Sequence, residues 1–346
     1  MRLLIVTLLI VLLTAVPVSA LDYAAPEAPE DVMDLMPVEQ ESFAQGLWKV
    51  VTSAIATFQP ELAAAAGTCV SLIGTVVLVS FLRQFPGGSV QVAELVGCLA
   101  ISGILLTQTN SMIRLGTETV QRLSDYGKLL LPVMTAAMAA QGGVTSSAAL
   151  YAGTAAFDAI LSEGIAKILV PMVYFFLILS IGICVLSEPM LGKMRDSVKG
   201  LLSWGLKTVI YVFTGYMSIT GAVSGSADAA TIKAAKLTIS GMVPVVGGIL
   251  SDASESVIAG VGVMKSAAGI YGLLAVMAIW ISPFLQIAIQ YLLLKLTAAV
   301  CGVFGVKPLS DLIQAFSTAM GLLLAMTGAV CFMLLISVVC FMKGVG

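Results

Sequence analysis

Long apolar segments follow one another through most of this 346-residue chain. The segments that are nearly free of charged residues are Leu62–Leu82, Ala93–Ile113, Pro171–Leu186, Leu201–Ala222, Pro283–Val303 and Phe316–Phe341. Several of them reach the roughly 20 apolar residues that a helix needs to cross the ~30 Å hydrocarbon layer of a bilayer. The pattern therefore predicts an all-α, polytopic helical membrane protein.

Composition argues against a soluble enzyme. Hydrophobic residues make up 59% of the chain and charged residues 10%, whereas a typical soluble domain carries about 25% charged residues. Because the chain has no histidine, it lacks the commonest general base and metal ligand. A Ser-Lys dyad is left open, but no motif supports it. The formal net charge of −2 gives no electrostatic case for binding nucleic acid. We therefore expect no enzymatic activity, no cofactor and no nucleic-acid partner.

The six cysteines all lie inside apolar segments, and none has a CxxC or another metal-ligand spacing. They are Cys69, Cys98, Cys184, Cys301, Cys331 and Cys340. We interpret them as small buried hydrophobic residues and expect neither a disulfide nor a metal site.

Residues 1–20 have the pattern of a signal peptide. Arg2 supplies a positive charge, Leu3–Val16 an apolar stretch, and residues 18–20 a cleavage site of small side chains. An uncleaved anchor helix is the alternative. In either case, the sequence that follows is expected on the far side of the membrane.

Residues 21–61 form an acidic segment, with eight acidic residues against Lys49 alone. Its first part contains three prolines and is predicted to be extended or disordered. Helical spacing of apolar residues in Ser42–Phe58 predicts a short amphipathic helix on the outer membrane surface. We therefore expect this segment to be extracytoplasmic.

Basic residues cluster at three connections between the apolar segments. These residues are Arg83 in the first connection, Lys193, Arg195 and Lys199 in the second, and Lys307 in the third. Because positively charged loops stay on the cytoplasmic side, we expect all three basic turns in the cytoplasm. The segment Arg114–Lys128 is balanced in charge and is expected outside. The stretch between Lys128 and Pro171 must then contribute an even number of crossings.

Two regions combine proline and paired glycines within apolar sequence. Proline removes a backbone donor and glycine permits non-helical dihedrals, so both regions predict broken or re-entrant helices. At membrane depth, such a break must be buried in protein or line an aqueous cavity. A pore-lining element and a tight packing corner both fit this pattern. The residues concerned are Pro132, Gly142 and Gly143 in the first region, and Pro244, Gly247, Gly248, Ser251, Asp252 and Glu255 in the second.

A shift of 112 residues superimposes several of these features. The pairs that it relates are Arg83 and Arg195, Arg195 and Lys307, Pro132 and Pro244, and Pro171 and Pro283. This correspondence predicts a tandem repeat within a transmembrane helical domain at residues 62–346. The repeat units are residues 62–170, residues 171–282 and a partial unit at residues 283–346.

Lys295 lies near the middle of the apolar segment Pro283–Val303, beside Gln290. A central lysine costs about 2.5–3.5 kcal/mol on insertion scales, so it normally faces the bundle interior or a partner. We expect a snorkelling or inter-subunit structural role rather than ion translocation, since no relay of Asp, Glu and His accompanies it.

One stretch of the sequence resembles a known family. The run GYMSITG at residues 215–221 and the string VPVVGGILSDA at residues 243–253 resemble the stage III sporulation protein AE family of multi-pass membrane proteins. The resemblance extends from about Ser42 to the end of the chain. Lysines and an aspartate between and after these strings occupy compatible places, namely Asp228, Lys233, Lys236 and Lys265.

The resemblance implies a role in endospore formation, within a secretion-like complex that connects the mother cell to the forespore. The implied partners are the other stage III sporulation A-operon proteins, one of which resembles a secretion ATPase, and indirectly stage II sporulation protein Q. The implied location is the mother-cell membrane. The resemblance implies no catalytic residues that could be assigned to positions of this sequence.

We therefore expect a non-enzymatic structural or channel subunit of that complex, embedded in membrane lipid, with homo-oligomerisation left open. The alternative is a stand-alone secondary transporter or permease whose substrate site lies at the broken helices. A membrane scaffold that conducts nothing is a third hypothesis.

Overall fold

The computed structural model describes residues 25–36, 43–56, 59–84, 90–140, 144–186, 188–219 and 267–343. All regular secondary structure in these ranges is helical. The α-helices are α1 (Phe43–Ala56), α2 (Gln59–Leu82), α3 (Val90–Ala140), α4 (Val144–Gly164), α5 (Val170–Leu186), α6 (Pro189–Ile219), α7 (Ala267–Val303) and α8 (Lys307–Lys343). A 3₁₀ turn at Glu30–Leu35 precedes α1, and a π-helical turn at Ile165–Leu169 joins α4 to α5. The predicted all-α class is confirmed.

Within the described residues, five helical stretches are long and apolar enough to cross a membrane, which confirms a multi-pass membrane protein. They are Leu62–Leu82, Val90–Ala139, Ser147–Leu186, Gly269–Val303 and Lys307–Met342. Helix α6 contains most of the predicted span Leu201–Ala222 but is not among the five. Its first half is strongly polar, and Lys207 interrupts the apolar part.

Three antiparallel hairpins, α2–α3, α5–α6 and α7–α8, turn at the same end of the bundle. The Ser80 hydroxyl donates a hydrogen bond of 3.1 Å to the carbonyl oxygen of Phe304, in the third turn. Arg83 Nη1 likewise donates to the carbonyl oxygen of Gly305 at 3.1 Å. Gly305 has a φ of +74°, a left-handed conformation that favours glycine and lets the chain reverse between α7 and α8.

The second turn joins the same end, because Cys184 Sγ lies 3.5 Å from the carbonyl oxygen of Pro308. We call it the basic end, defined by Arg83, Arg195 and Lys307. These three residues hold different positions in their hairpins: Arg83 follows α2, Arg195 lies within the second turn of α6, and Lys307 begins α8. The 112-residue repeat and its unit boundaries stay a prediction.

The opposite end of the bundle is closed by the N-terminal segment. The Tyr126 hydroxyl on α3 donates to the carbonyl oxygen of Pro26 at 3.2 Å, and the Ala28 amide donates to the Tyr271 hydroxyl on α7 at 3.4 Å. We call this the tyrosine end, defined by Tyr126 and Tyr271. Ala28, Val32 and Met36 are buried in the core.

The expectation of an extended or disordered acidic segment is therefore wrong for Glu30–Leu35, which form the 3₁₀ turn, whereas residues 25–29 have no regular secondary structure. Its acidic residues alternate with apolar ones, and these apolar side chains pack on α7. Helix α1 lies within the predicted helical segment Ser42–Phe58; Gly46, Val50 and Ala54 are buried, whereas Trp48 and Ile55 are exposed. Its buried face contacts α7. Its place on the outer membrane surface stays a prediction.

Helix α8 occupies the centre of the bundle and contacts α3, α4, α5, α6 and α7. In its most apolar stretch, 94% of the residues are buried. Close approach depends on small residues at the contacts. A Cβ on Gly127 of α3 would lie 2.8 Å from Leu334 Cδ2, so a larger residue fits there only if the Leu334 side chain shifts.

Charged residues delimit an apolar belt around part of the bundle. Residues 62–82, 95–113 and 168–187 contain no charged residue. At 1.5 Å per residue each range is about 30 Å long, the thickness of the hydrocarbon layer. The belt begins at the basic end, where Arg83 pairs with Glu94, and ends near Arg114.

Helix α3 has 51 residues and is therefore about 76 Å long, more than twice the belt. The helix continues through Pro132 to Ala140, so no break occurs at this proline. Gly142 and Gly143, where the sequence predicts the break, lie outside the described residues. Proline removes one backbone hydrogen bond, but Leu130, Leu131 and Met134 beside it are buried and hold the helix in place. Residues 129–140 therefore continue away from the belt on the same helix that crosses it.

Candidate functional site

The basic end brings together residues from all three predicted basic turns. Arg83 Nη2 lies 3.4 Å from Glu94 Oε1, and the Arg195 guanidinium donates through Nε and Nη2 to the neighbouring Asp196 carboxylate. Lys193 and Lys307 are exposed. Lys199 is half-buried on α6. The side of the membrane on which this end lies stays a prediction.

A disulfide between Cys98 and Cys184 ties α3 to α5 near the basic end, with Cα atoms 6.1 Å apart. This pair corrects the expectation that no cysteine forms a disulfide. The two residues lie 86 positions apart, and only the packing of α3 against α5 makes them neighbours. The remaining cysteines are buried, as predicted; they are Cys69, Cys301, Cys331 and Cys340.

A polar layer crosses the apolar belt between α3 and α7. Gln108 Nε2 donates to Gln290 Oε1 at 2.9 Å, and Gln290 is buried. Gln108 Oε1 is buried and has no hydrogen-bond partner among the described residues. Tyr174 on α5 donates its hydroxyl to Asn110 Oδ1. Gln108 and Asn110 are absent from the residues predicted from sequence, although an amide within an apolar segment is a usable signal.

Lys295 lies next to this layer and is partly buried. Its Nζ donates to the Tyr291 hydroxyl at 3.3 Å and lies 5.5 Å from the centre of the Tyr291 ring. Because α7 extends from Ala267 to Val303, Lys295 is eight residues, or about 12 Å, from the end of the helix. Lys295 therefore lies within the depth of the apolar belt, which is about 30 Å thick, as its position in the sequence indicated. Its functional role stays a prediction.

Asp158 forms a second buried polar cluster, between α3 and α4. The Ser124 hydroxyl donates to Asp158 Oδ2 at 2.6 Å, and Asp158 is only 4% exposed. Asp158 Oδ1 and Thr154 Oγ1 are buried without a hydrogen-bond partner in the described part of the chain. A carboxylate within an apolar stretch of sequence is a usable signal for Asp158, but no sequence pattern identifies Ser124 as its partner, since Ser124 lies on another helix.

Most of the predicted pore element lies outside the described residues. This applies to Gly142, Gly143, Pro244, Gly247, Gly248, Ser251, Asp252 and Glu255. Pro132 lies within α3, close to the tyrosine end. The pore-lining role of these residues stays a prediction.

Comparison with known proteins agrees with the fold and with the resemblance in sequence. Residues 30–344 match the family described as Stage III sporulation protein AE. The chain is 23% identical over 234 residues to Stage III sporulation protein AE of Bacillus subtilis (strain 168), an alignment that covers 68% of this chain and 59% of that relative. No solved structure matches the chain. Since the family match extends over most of the chain, this protein belongs to the stage III sporulation protein AE family.

Proposed function

We propose that the protein is a non-enzymatic structural or channel subunit of the complex that connects the mother cell to the forespore during endospore formation. The observation that carries this proposal is the family match over residues 30–344, together with helices suited to cross a membrane. The proposed partners are the other stage III sporulation A-operon proteins and, indirectly, stage II sporulation protein Q.

The proposed orientation follows from the distribution of charge. The basic end would face the mother-cell cytoplasm, in agreement with the positive-inside rule, and would be available to an ATPase-type partner. The tyrosine end, with the acidic segment after signal cleavage, would face the space between the two membranes. Because the long helices exceed the belt, this part of the bundle would project into that space.

The filled centre of the bundle bears on where a passage could lie. Helix α8 occupies the axis of the described bundle, and its core residues Phe316, Leu334 and Phe341 are fully buried. This packing favours a passage between copies of the chain over one through the axis of a single copy. A homo-oligomer is therefore part of the proposal.

Co-purification from sporulating cells tests the proposal. A tagged chain is expected to retain stage III A-operon proteins, and a Lys193→Glu/Lys199→Glu variant is expected to lose the ATPase-type partner because it reverses charge at the basic end. Lys167→Glu makes the same kind of change at an exposed site on the far side of the belt and serves as the control. Loss of no partner in the first variant, or equal loss in both, would contradict the proposed orientation and contact.

A stand-alone secondary transporter is the second candidate, favoured by the polar layer at Gln108 and Gln290 within the apolar belt. A transporter alone in proteoliposomes would move a defined solute, and Asp252 and Lys295 variants would lose that activity while still folded. The channel subunit is expected to show no solute specificity by itself. For a scaffold, cysteines introduced at Val245 and Ser251 would not react with aqueous reagents.

A further inference from the structure

A cavity of about 290 Å³ opens at the basic end between α5, α6 and α8. Its charged lining residues are Glu188, Arg195, Lys307 and Asp311. Apolar side chains, including Ile183 and Leu312, complete the wall. The volume lies at the lower limit of small-molecule sites, which begin at about 300 Å³. The size and the mixed lining fit a small ligand with both polar and apolar parts.

The positive charges of this cavity suit a phosphate. Arg195 donates two of its five N–H groups to Asp196, so three remain for a ligand. Lys307 supplies a second cation. Helix α6 begins at Pro189 and α8 begins at Lys307, so two helix N-termini add partial positive charge on the same side.

The two carboxylates of the cavity are exposed and open to a different kind of ligand group. No ion pair within 4.0 Å joins Glu188 or Asp311 to a cation in the described part of the chain. A carboxylate accepts hydrogen bonds and has none to donate. A ligand that carries a primary ammonium a few bonds from its phosphate would therefore satisfy both halves of the lining.

The location of the cavity identifies the source of such a ligand. The charge-free part of α5 ends just before Glu188, so the cavity lies at the edge of the apolar belt. Leu186 and Met190 beside it are 64% and 71% exposed, as expected for side chains that face lipid. The cavity is thus at the depth of lipid headgroups.

We propose that this cavity binds a phosphoethanolamine group, presented by phosphatidylethanolamine. Arg195 and Lys307 hold the phosphate, while Glu188 and Asp311 accept hydrogen bonds from the ammonium. The apolar wall contacts the start of the lipid chains. The site is independent of the proposed channel function and requires only that the basic end lie at a membrane surface.

Native mass spectrometry of the full-length protein, released from detergent in the presence of equal amounts of lipids, tests this site. Phosphatidylethanolamine is expected to be retained about tenfold more than phosphatidylcholine, because the methylated amine of choline has no N–H to donate. The retention of phosphatidylglycerol, which has no amine, is also expected to be lower than that of phosphatidylethanolamine. Equal retention of all three lipids would overturn the proposal.

Two double variants test the residues proposed to bind the ammonium and those proposed to bind the phosphate independently. Glu188→Gln with Asp311→Asn is expected to abolish the preference for phosphatidylethanolamine over phosphatidylcholine. Arg195→Gln with Lys307→Gln is expected to lower binding of all three lipids about tenfold. Lys193→Gln with Lys199→Gln removes the same number of positive charges from positions of α6 that do not line the cavity and is the matched control. A loss in this control equal to that of the Arg195 and Lys307 variant would overturn the assignment.

Two further measurements control for misfolded variants and distinguish a lipid from a soluble ligand. If a double variant does not fold, as judged by gel filtration, the single variants Glu188→Gln and Lys307→Gln replace it with smaller expected effects. Soluble glycerophosphoethanolamine is added as a competitor. Displacement of the lipid at similar concentration would assign the site to a soluble phosphoethanolamine, whereas failure to compete would assign it to the lipid. Competition by inorganic phosphate alone to the same extent would overturn the role of the ammonium.

Discussion

Helices α2 and α8 have similar apolar composition and opposite surroundings. The apolar stretch of α2 has a mean hydropathy of 2.2 and 28% of its residues are buried, whereas in α8 the values are 2.6 and 94%. Helix α2 exposes Val70, Leu78 and Phe81 on the surface of the bundle, where lipid would contact them. Hydropathy therefore identifies helices that leave water but does not distinguish a lipid-facing helix from a central one.

The contacts of small and polar residues account for the difference. On α8, the Ser317 hydroxyl donates to the carbonyl oxygen of Tyr291 on α7 at 3.0 Å. On α2, the Ser71 hydroxyl donates to the carbonyl oxygen of Gly67, four residues earlier on the same helix. The first bond joins two helices, whereas the second lies within α2, whose hydroxyls donate to another part of the bundle only near the end of the helix, through Ser80. Packing and interhelical hydrogen bonds are the forces that associate helices in lipid.

The largest expected effect concerns the ends of α2 and α8, which the structure places together. Single cysteines at Gln84 and Lys307 are expected to react with a membrane-impermeant maleimide from the same side. Cysteines at Glu118 and Glu163 are expected to react from the other side, because the apolar belt separates the two sets. Labelling of intact and opened cells measures the effect. Reaction of Gln84→Cys and Lys307→Cys from opposite sides would contradict the hairpin arrangement.

Removal of a large side chain is expected to lower the stability of the protein more on the central helix than on the peripheral one. Phe316→Ala on α8 deletes a fully buried ring and is expected to destabilise the protein by about 2 kcal/mol, mainly through the cavity it leaves. Phe81→Ala on α2 deletes a ring that is 57% exposed and is expected to have little effect. Unfolding in mixed micelles measures both. Equal losses would show that α8 is not the core.

Glycine contacts provide a third test of the close approach of α8. Gly127→Val on α3 would push against Leu334 and is expected to cost about 1.5 kcal/mol through overpacking. Gly103→Val makes the same change on the same helix, at a position with nothing within 4 Å, and is expected to be tolerated. Thermal unfolding of the two purified variants in detergent gives the comparison. A larger loss for Gly103→Val would refute this helix contact.

The smallest effect concerns single hydroxyls. Ser317→Ala removes the hydrogen bond to α7 and is expected to cost about 0.6 kcal/mol, the average for such bonds in membranes. Ser71→Ala removes only a bond within α2 and is expected to be neutral. The same unfolding assay applies, with each variant measured beside the wild type. Similar values for the two would mean that hydroxyl bonds do not contribute to the position of α8.

Hydrophobic periodicity and length, which are local, determined much of the fold. Long apolar runs predicted the helical membrane class, the spacing in Ser42–Phe58 predicted α1, and two short strings indicated the family. For the candidate site, sequence named Arg195 and Lys307 through their charge, and the structure brings them to one cavity. Sequence did not indicate that Glu188 and Asp311 would lie in the same wall.

Which residues contact each other across helices was decided by the tertiary structure alone. The Cys98–Cys184 disulfide, the bond from Ser124 to Asp158, and the central position of α8 each depend on residues far apart in the chain. Continuity of α3 through Pro132 depends on buried neighbours that outweigh one lost hydrogen bond. The physical reason is that an apolar side chain is about equally stable in lipid and in a protein interior, so the sequence of a helix determines that it enters the membrane, and shape and polar contacts determine what it lies against.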